Sequence, residues 1–151
     1  MTRRIYYKDK SISLYIDANV LRNYCTGQKA DVECLNFLFE KRKRDKLFTS
    51  TFAIGQVLSA YQNRKGITKE KTLEKGNFFL NKMSLIDFLE KDVKVSLELS
   101  GNDVEDNMHY ILSKKKKCAI IITNDKNGFA EFKDVIVIKP TKLGFLQNMI
   151  N

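Results

Sequence analysis

Proline is almost absent from this chain: Pro140 is the only one among 151 residues, and no Pro/Gly/Ser-rich stretch marks a linker. There is no internal repeat either, and the length is that of one ordinary domain, able to bury a core without disulfides or metal staples. A single domain over residues 1–151 is the expectation. The three cysteines, Cys25, Cys34 and Cys118, are odd in number and make no C-x-x-C pair. That argues against a disulfide framework and a structural zinc site, and they read as reduced, mostly buried residues. No apolar run approaches the roughly 20 residues that span a bilayer, and the opening Met1-Thr2-Arg3-Arg4-Ile5-Tyr6-Tyr7-Lys8 lacks the apolar segment of an export signal. A cytoplasmic location is therefore expected. Acidic residues are also in the minority, 18 against 27 Lys and Arg, for a formal net charge of +9. Such a balance favours an acidic partner, whether nucleic acid, an anionic surface or an acidic protein.

Hydrophobic periodicity alternates between strand-like and helix-like segments. A strand is expected near 12–16, and Val20, Leu21 and Tyr24 then recur at helical spacing. Asp31 is placed to cap a helix carrying Leu35, Leu38 and Phe39 and ending in Lys41-Arg42-Lys43-Arg44. A second strand falls at 47–49, before a helix with Phe52, Ile54, Val57, Leu58 and Tyr61. A helix over 68–81, weakened by Gly76, leads to a third strand at 83–88 and a short helix near 92–99. Asn102 followed by Glu105 suggests a capped helix from Asp103 to about Ser113, closed by Lys114–Lys117. Cys118–Thr123 is the clearest strand, Val135–Ile138 a fifth, and a terminal helix begins near Pro140. The alternation implies a Rossmann-like, three-layer α/β/α fold with a central parallel sheet of about five strands.

The scarce acids are where this architecture would use them. Ser13–Ile16 runs into Asp17, Cys118–Asn124 runs into Asp125, and Asp103, Glu105 and Asp106 stand just before the second run. Ligands bind at the carboxyl ends of the strands in open α/β sheets, so acids distant in sequence can meet there. If the first and fourth strands are neighbours, Asp17 and Asp125 face each other, and the helix between Asp103 and Ser113 starts at the same edge. Successive helical residues are about 100° apart, so Asp103, Glu105 and Asp106 cannot all aim at one point, and one should dominate. Converging carboxylates make an oxygen-rich site suited to a hard cation such as Mg²⁺.

Three segments, Ile16-Asp17-Ala18-Asn19-Val20-Leu21, Asp103-Val104-Glu105-Asp106-Asn107-Met108-His109-Tyr110 and Ile121-Ile122-Thr123-Asn124-Asp125, resemble in order and spacing the acidic motifs of the PIN-domain nucleases. Within that family the chain is most similar to the VapC-like toxins of bacterial toxin–antitoxin pairs. The resemblance extends through Val137–Leu146, which looks like the family's last strand and helix. It implies an endoribonuclease that hydrolyses RNA phosphodiesters at an acidic Mg²⁺ or Mn²⁺ site. Carried over by position, Asp17, Asp106 and Asp125 are the metal-binding acids, with Asp103 an accessory acid and Asn19 and Thr123 polar supports. The family usually has a glutamate in the helix after the second strand, where this chain has Gln56. An amide keeps a carbonyl oxygen for coordination but has no negative charge and cannot accept a proton as a carboxylate does. Reduced metal affinity or turnover is expected. The implied partners are an RNA substrate, a cognate antitoxin protein and a second copy in a homodimer, with no membrane.

Blander readings stand beside these. Asp17 and Asp125 could simply make turns, and Asp103 and Glu105 could cap a helix and offset its dipole. His109 reads as a structural or exposed histidine, Lys114–Lys117 and Lys41–Arg44 as solvated helix ends, and Tyr6-Tyr7 and Phe78-Phe79 as packing aromatics rather than base-stacking ones. The competing function is a catalytically weakened PIN-like module that binds RNA or protein. An aspartyl-phosphate chemistry at Asp17 is disfavoured, because a haloacid-dehalogenase-like motif would need aspartate at Asn19 and a receiver would need paired acids after the first strand.

Overall fold

The computed structural model describes residues 12–101 and 103–150. Five strands, β1 (Leu14–Ile16), β2 (Leu47–Ser50), β3 (Ser84–Ile86), β4 (Ile120–Ile122) and β5 (Ile136–Ile138), form one sheet in the order β3-β2-β1-β4-β5. Helices α1 (Ala18–Cys25), α2 (Lys29–Lys41), α3 (Thr51–Gln62), α4 (Lys69–Lys82), α5 (Glu90–Glu98) and α6 (Val104–Lys115) lie between strands, and α7 (Leu143–Ile150) follows β5. Every neighbouring pair is parallel. Each connection must therefore cross over the sheet; helices supply the crossovers up to β4, and a short 3₁₀ turn at Asn127–Phe129 lies in the one from β4 to β5.

Side chains alternate faces along each strand. Leu14 and Ile16 of β1 and Ile120 and Ile122 of β4 enter a core with Leu21, Leu35, Val57, Phe79 and Leu146, drawn from α1, α2, α3, α4 and α7. Tyr15 and Ile121 point the other way, into a cluster with Phe48, Ile86, Phe129 and Leu112 of α6. The sheet is thus covered on both faces, the three-layer α/β/α arrangement expected from the sequence. Burying a Leu, Ile or Phe side chain contributes about 1.5–3 kcal/mol. Packing of this kind, more than local propensity, sustains strands as short as Leu14–Ile16.

Three local expectations change. Asp31 does not cap α2, which starts earlier with Gln28 at its N-cap. Asp31 instead sits buried in the first turn, where its Oδ2 accepts from Asn23 Nδ2 at 3.3 Å and Asn124 Nδ2 at 2.7 Å. Two amide donors outside α2 compete successfully for this carboxylate. The start of α6 is capped by Asp103, whose Oδ1 accepts from the Asp106 amide at 3.1 Å. The expected partner Asn102 lies outside the described residues, and Glu105 is engaged elsewhere. Gly76, read as a weakness in α4, is buried with Leu58 against it: a Cβ there would lie 3.2 Å from Leu58 Cδ1. Its small size lets α4 approach α3. Phe79 is buried in the core, and Phe78 stacks on Tyr24 with 9° between the rings, so this pair packs as expected. Tyr6 and Tyr7 lie outside the described residues.

Candidate active site at the carboxyl edge of the sheet

The register of the two central strands fixes the site. β1 pairs with β4 as Leu14 with Ile120, Tyr15 with Ile121 and Ile16 with Ile122. Thr123, not Asp125, is therefore the residue opposite Asp17, and its Oγ1 donates to Asp17 Oδ2 at 2.6 Å. Asn19 Nδ2 donates to the same oxygen at 3.1 Å and also to Thr123 Oγ1 at 3.2 Å. The other oxygen, Oδ1, accepts from the Ala18 amide at 2.7 Å, so Asp17 caps α1 while it faces the sheet edge. Asn19 Oδ1 accepts from the Asn124 amide at 3.1 Å, and the Asp125 amide donates to Thr123 Oγ1 at 3.1 Å. Asn19 and Thr123 thus tie the two strand ends together.

Asp125 joins a different group. One carboxylate oxygen each from Asp103, Asp106 and Asp125 lies within 4.8 Å of the others. Asp103 caps α6 through the Asp106 amide, which brings its carboxylate beside that residue, so two of the three acids at the start of α6 converge where one was expected to dominate. Glu105 turns aside and accepts from Gln56 Nε2 at 2.9 Å. Asp106 is 6% exposed, and its Oδ2 has no hydrogen-bond donor among the described residues. Burial pushes its carboxyl well above the ordinary carboxylate range, reinforced by the Asp125 carboxylate and then by Asp103. Gly128 closes over this group: a Cβ there would land on Asp106 Oδ2 and 2.7 Å from Asp125 Oδ2. Its amide donates to Asp125 Oδ1 at 3.1 Å.

This donor set fits a hard divalent cation. All the converging atoms are carboxylate oxygens, and among the described residues the buried Asp106 Oδ2 has no donor. Gln56 Oε1 is also buried without a hydrogen-bond partner among the described residues, while its amide nitrogen is committed to Glu105.

His109 is the residue that the sequence reading placed outside the site. It is fully buried on α6, with Nδ1 2.7 Å from the Tyr15 hydroxyl and Nε2 3.3 Å from Asp17 Oδ1. Burial holds its imidazole below the ordinary histidine range, against the opposing pull of the Asp17 charge. The available signal was its spacing: Asp106, His109 and Leu112 recur every three residues on one face of α6, and that face is buried. The lysines in the last turn of α6 are more committed than a solvated end would be. Lys114 Nζ pairs with Asp134 at 2.6 Å, and Lys115 Nζ with Asp92 at 2.8 Å.

Residues 14–135 match the PIN domain. The chain belongs to the PIN domain family. This PIN domain is 26% identical over 135 residues to Ribonuclease VapC1 of Aquifex aeolicus (strain VF5), a match covering 83% of this chain and 90% of that protein. Among solved structures it resembles VapBC2 from Rickettsia felis, captured bound to a DNA fragment from their promoter, with a TM-score of 0.60 and 16% identity over 85% of this chain and 98% of that one. It also resembles Mycobacterium tuberculosis VapC20, a Sarcin-Ricin loop cleaving toxin, with a TM-score of 0.62 and 12% identity over 80% and 95% of the two chains. These structures share the fold. The family and the curated relative together support a ribonuclease.

Proposed function

We propose that this PIN domain is a metal-dependent endoribonuclease of the VapC toxin type, hydrolysing RNA phosphodiesters at the carboxyl edge of its sheet. The observation that carries the reading is the convergence of Asp103, Asp106 and Asp125, with a buried Asp106 oxygen that no donor satisfies. Asp106 and Asp125 hold Mg²⁺ or Mn²⁺, Asp103 moves from accessory acid to member of the same group, and Asp17 contributes from the adjoining strand end. Asn19 and Thr123 keep Asp17 in place, and Gln56 presents its carbonyl oxygen at the rim. When bound, the cation neutralises charge developing on the phosphate and lowers the pKa of an attacking water. The chain's own acids fix where that charge is concentrated, and no serine, cysteine or histidine nucleophile is needed.

The net charge of +9 supports a polyanionic substrate. A cognate antitoxin protein, a homodimer, a cytoplasmic setting and a single domain over the whole chain complete the proposal. Among the described residues no helix is long and apolar enough to cross a membrane. The VapBC assemblies among the solved structures support the antitoxin.

One observation favours a second reading. Gln56 lacks the carboxylate expected at its place, so the chain could have kept RNA or protein binding with weakened cleavage. Glu105, hydrogen-bonded to Gln56, nevertheless brings a carboxylate alongside it. A cleavage assay with Mg²⁺ and Mn²⁺, run beside Asp17→Asn and Asp106→Asn, separates the two. Cation-dependent cleavage that both variants lose supports the nuclease, whereas RNA binding without cleavage in every condition supports the binding module.

A further inference from the structure

The carboxyl edge also contains a chain of buried polar groups behind the acids. Ser50 Oγ, at the N-cap of α3, accepts from the Ala53 amide at 3.0 Å and lies 2.8 Å from the Tyr15 hydroxyl. That hydroxyl is 2.7 Å from His109 Nδ1, and His109 Nε2 faces Asp17 Oδ1 at 3.3 Å. Tyr15, Ser50 and His109 are all fully buried, and Phe52 packs against the imidazole with ring centroids 5.1 Å apart. No solvent can supply a missing donor or acceptor here, so each proton must be assigned within the chain.

Only one assignment gives both hydroxyl hydrogens an acceptor among the described residues. Ser50 Oγ already accepts from the Ala53 amide, and the Tyr15 oxygen is the acceptor that its own hydrogen meets among the described residues, so the Tyr15 O–H turns to His109 Nδ1. A neutral imidazole carries one N–H. Placed on Nδ1, it would point to Tyr15 and leave the Nε2 lone pair facing the Asp17 carboxylate. Placed on Nε2, it faces that carboxylate, while Nδ1 accepts from Tyr15 O–H and Tyr15 oxygen accepts from Ser50 O–H. The 3.3 Å contact is long and poorly aligned for a hydrogen bond, and Nε2 has no hydrogen-bond partner among the described residues. What it decides is the sign of the atom presented to Asp17.

We infer that His109 is a positioning residue, held as the Nε2–H tautomer by Ser50 and Tyr15 so that it braces Asp17 Oδ1 from behind the site. With the Ala18 amide on the same oxygen and Thr123 and Asn19 on the other, Asp17 is then surrounded by N–H and O–H groups from α1, α6 and the residue after β4. A fixed carboxylate at one strand end, next to the flexible charge of the acid cluster, sets where a cation can sit. This role in cation binding rests on the nuclease reading above, but the tautomer itself does not.

The chain has a single histidine, so ¹⁵N spectra of its imidazole in cation-free protein report this group without ambiguity. The expected spectrum has a protonated Nε2 and an unprotonated Nδ1, and an Nδ1–H tautomer would overturn the inference. Tyr15→Phe, which keeps the ring and deletes only the hydroxyl, should release the tautomer preference. In Mn²⁺ titrations, Tyr15→Phe and His109→Phe should bind roughly tenfold more weakly than the unaltered protein, the usual effect of removing a group that orients a ligand. Unchanged Mn²⁺ affinity in a folded Tyr15→Phe protein would show a merely structural role and overturn the bracing of Asp17. If the unaltered protein bound no Mn²⁺, the cation reading would fall, and the tautomer would still decide whether His109 presents N–H to Asp17.

Discussion

Asp17 and Asp106 are both buried acids at one edge of one sheet, yet their surroundings are opposite. Asp17 is ringed by donors: the Ala18 amide, Thr123 Oγ1 and Asn19 Nδ2 all hydrogen-bond to it, and His109 Nε2 stands at 3.3 Å. Asp106 is ringed by acids and keeps an oxygen without a donor. The first arrangement stabilises the folded chain, because its hydrogen bonds replace those lost to water. The second costs stability, since acidic groups are crowded together out of water. A fold keeps such a defect where a ligand relieves it. Two acids that look alike in sequence therefore differ in surroundings: one holds strand ends together, and the other, in the function proposed above, makes a place for positive charge.

Neutralising each acid in turn should break or sharpen this contrast. Asp106→Asn is expected to have the largest effect on activity, lowering cation-dependent RNA cleavage by roughly a hundredfold or more. The same change should raise the melting temperature of the cation-free protein, by about 2–4 °C for each kcal/mol of repulsion relieved. Asp17→Asn should also lose cleavage, but with the opposite sign in stability. An amide nitrogen would face groups that are themselves donors, at a cost of about 1–3 kcal/mol in denaturant unfolding. Equal and same-signed stability changes in the two variants would remove the contrast.

Gly128→Ala comes next, because its Cβ would land on Asp106 Oδ2 and near Asp125 Oδ2. Mn²⁺ titration should show weaker binding, with RNA cleavage reduced in parallel. Gln56→Glu is expected to have a smaller effect, strengthening cation-dependent turnover while setting a second carboxylate beside Glu105 and lowering cation-free stability. Unchanged turnover would mean that the glutamine is not what limits this enzyme.

The smallest effect belongs to an acid with a third kind of environment. Asp92 is buried, and burial alone would raise its pKa. The Lys115 ammonium at 2.8 Å and the Leu89 amide at 2.8 Å overcome this and hold the carboxyl below its ordinary value. A lowered folded-state pKa contributes stability that is complete above the unfolded carboxylate value and is lost as pH falls through the lower folded one. Acid unfolding of Asp92→Asn should therefore show a shallower loss over that acidic window than the unaltered protein, and an identical profile would leave the Lys115 pair without a role in stability.

Much of this fold could be read from the chain. Two apolar runs ending in acids located β1 and β4, and the regular alternation of periods gave the parallel sheet and its helical layers. The site was legible as a set of acids but not as a division between them. Asp17 and Asp125 mark strand ends in sequence, but the register of three residue pairs puts Thr123 opposite Asp17 and sends Asp125 to α6. Side-chain hydrogen bonds across 104 or 106 positions leave no local pattern, as with Asn19 and Asp17 meeting Thr123. Asp31 misled for the same reason, since a cap and a buried acceptor of the distant Asn124 amide look identical in a linear sequence. His109 was missed because a lone histidine has no spacing partner of its own. Only its place on the same helical face as Asp106 tied it to the edge where Tyr15 and Asp17 lie.

The claim that the Asp103–Asp106–Asp125 group is a divalent-cation site of a ribonuclease is tested most directly by titrating Mn²⁺ into the unaltered protein and Asp106→Asn while following binding, melting temperature and RNA cleavage together. The account predicts that the unaltered protein binds Mn²⁺, is stabilised as the cation saturates it and cuts RNA only then, whereas Asp106→Asn stays folded and loses both binding and cleavage. Equal Mn²⁺ affinity in the two proteins, or RNA cleavage that persists in the presence of a chelator, would contradict it.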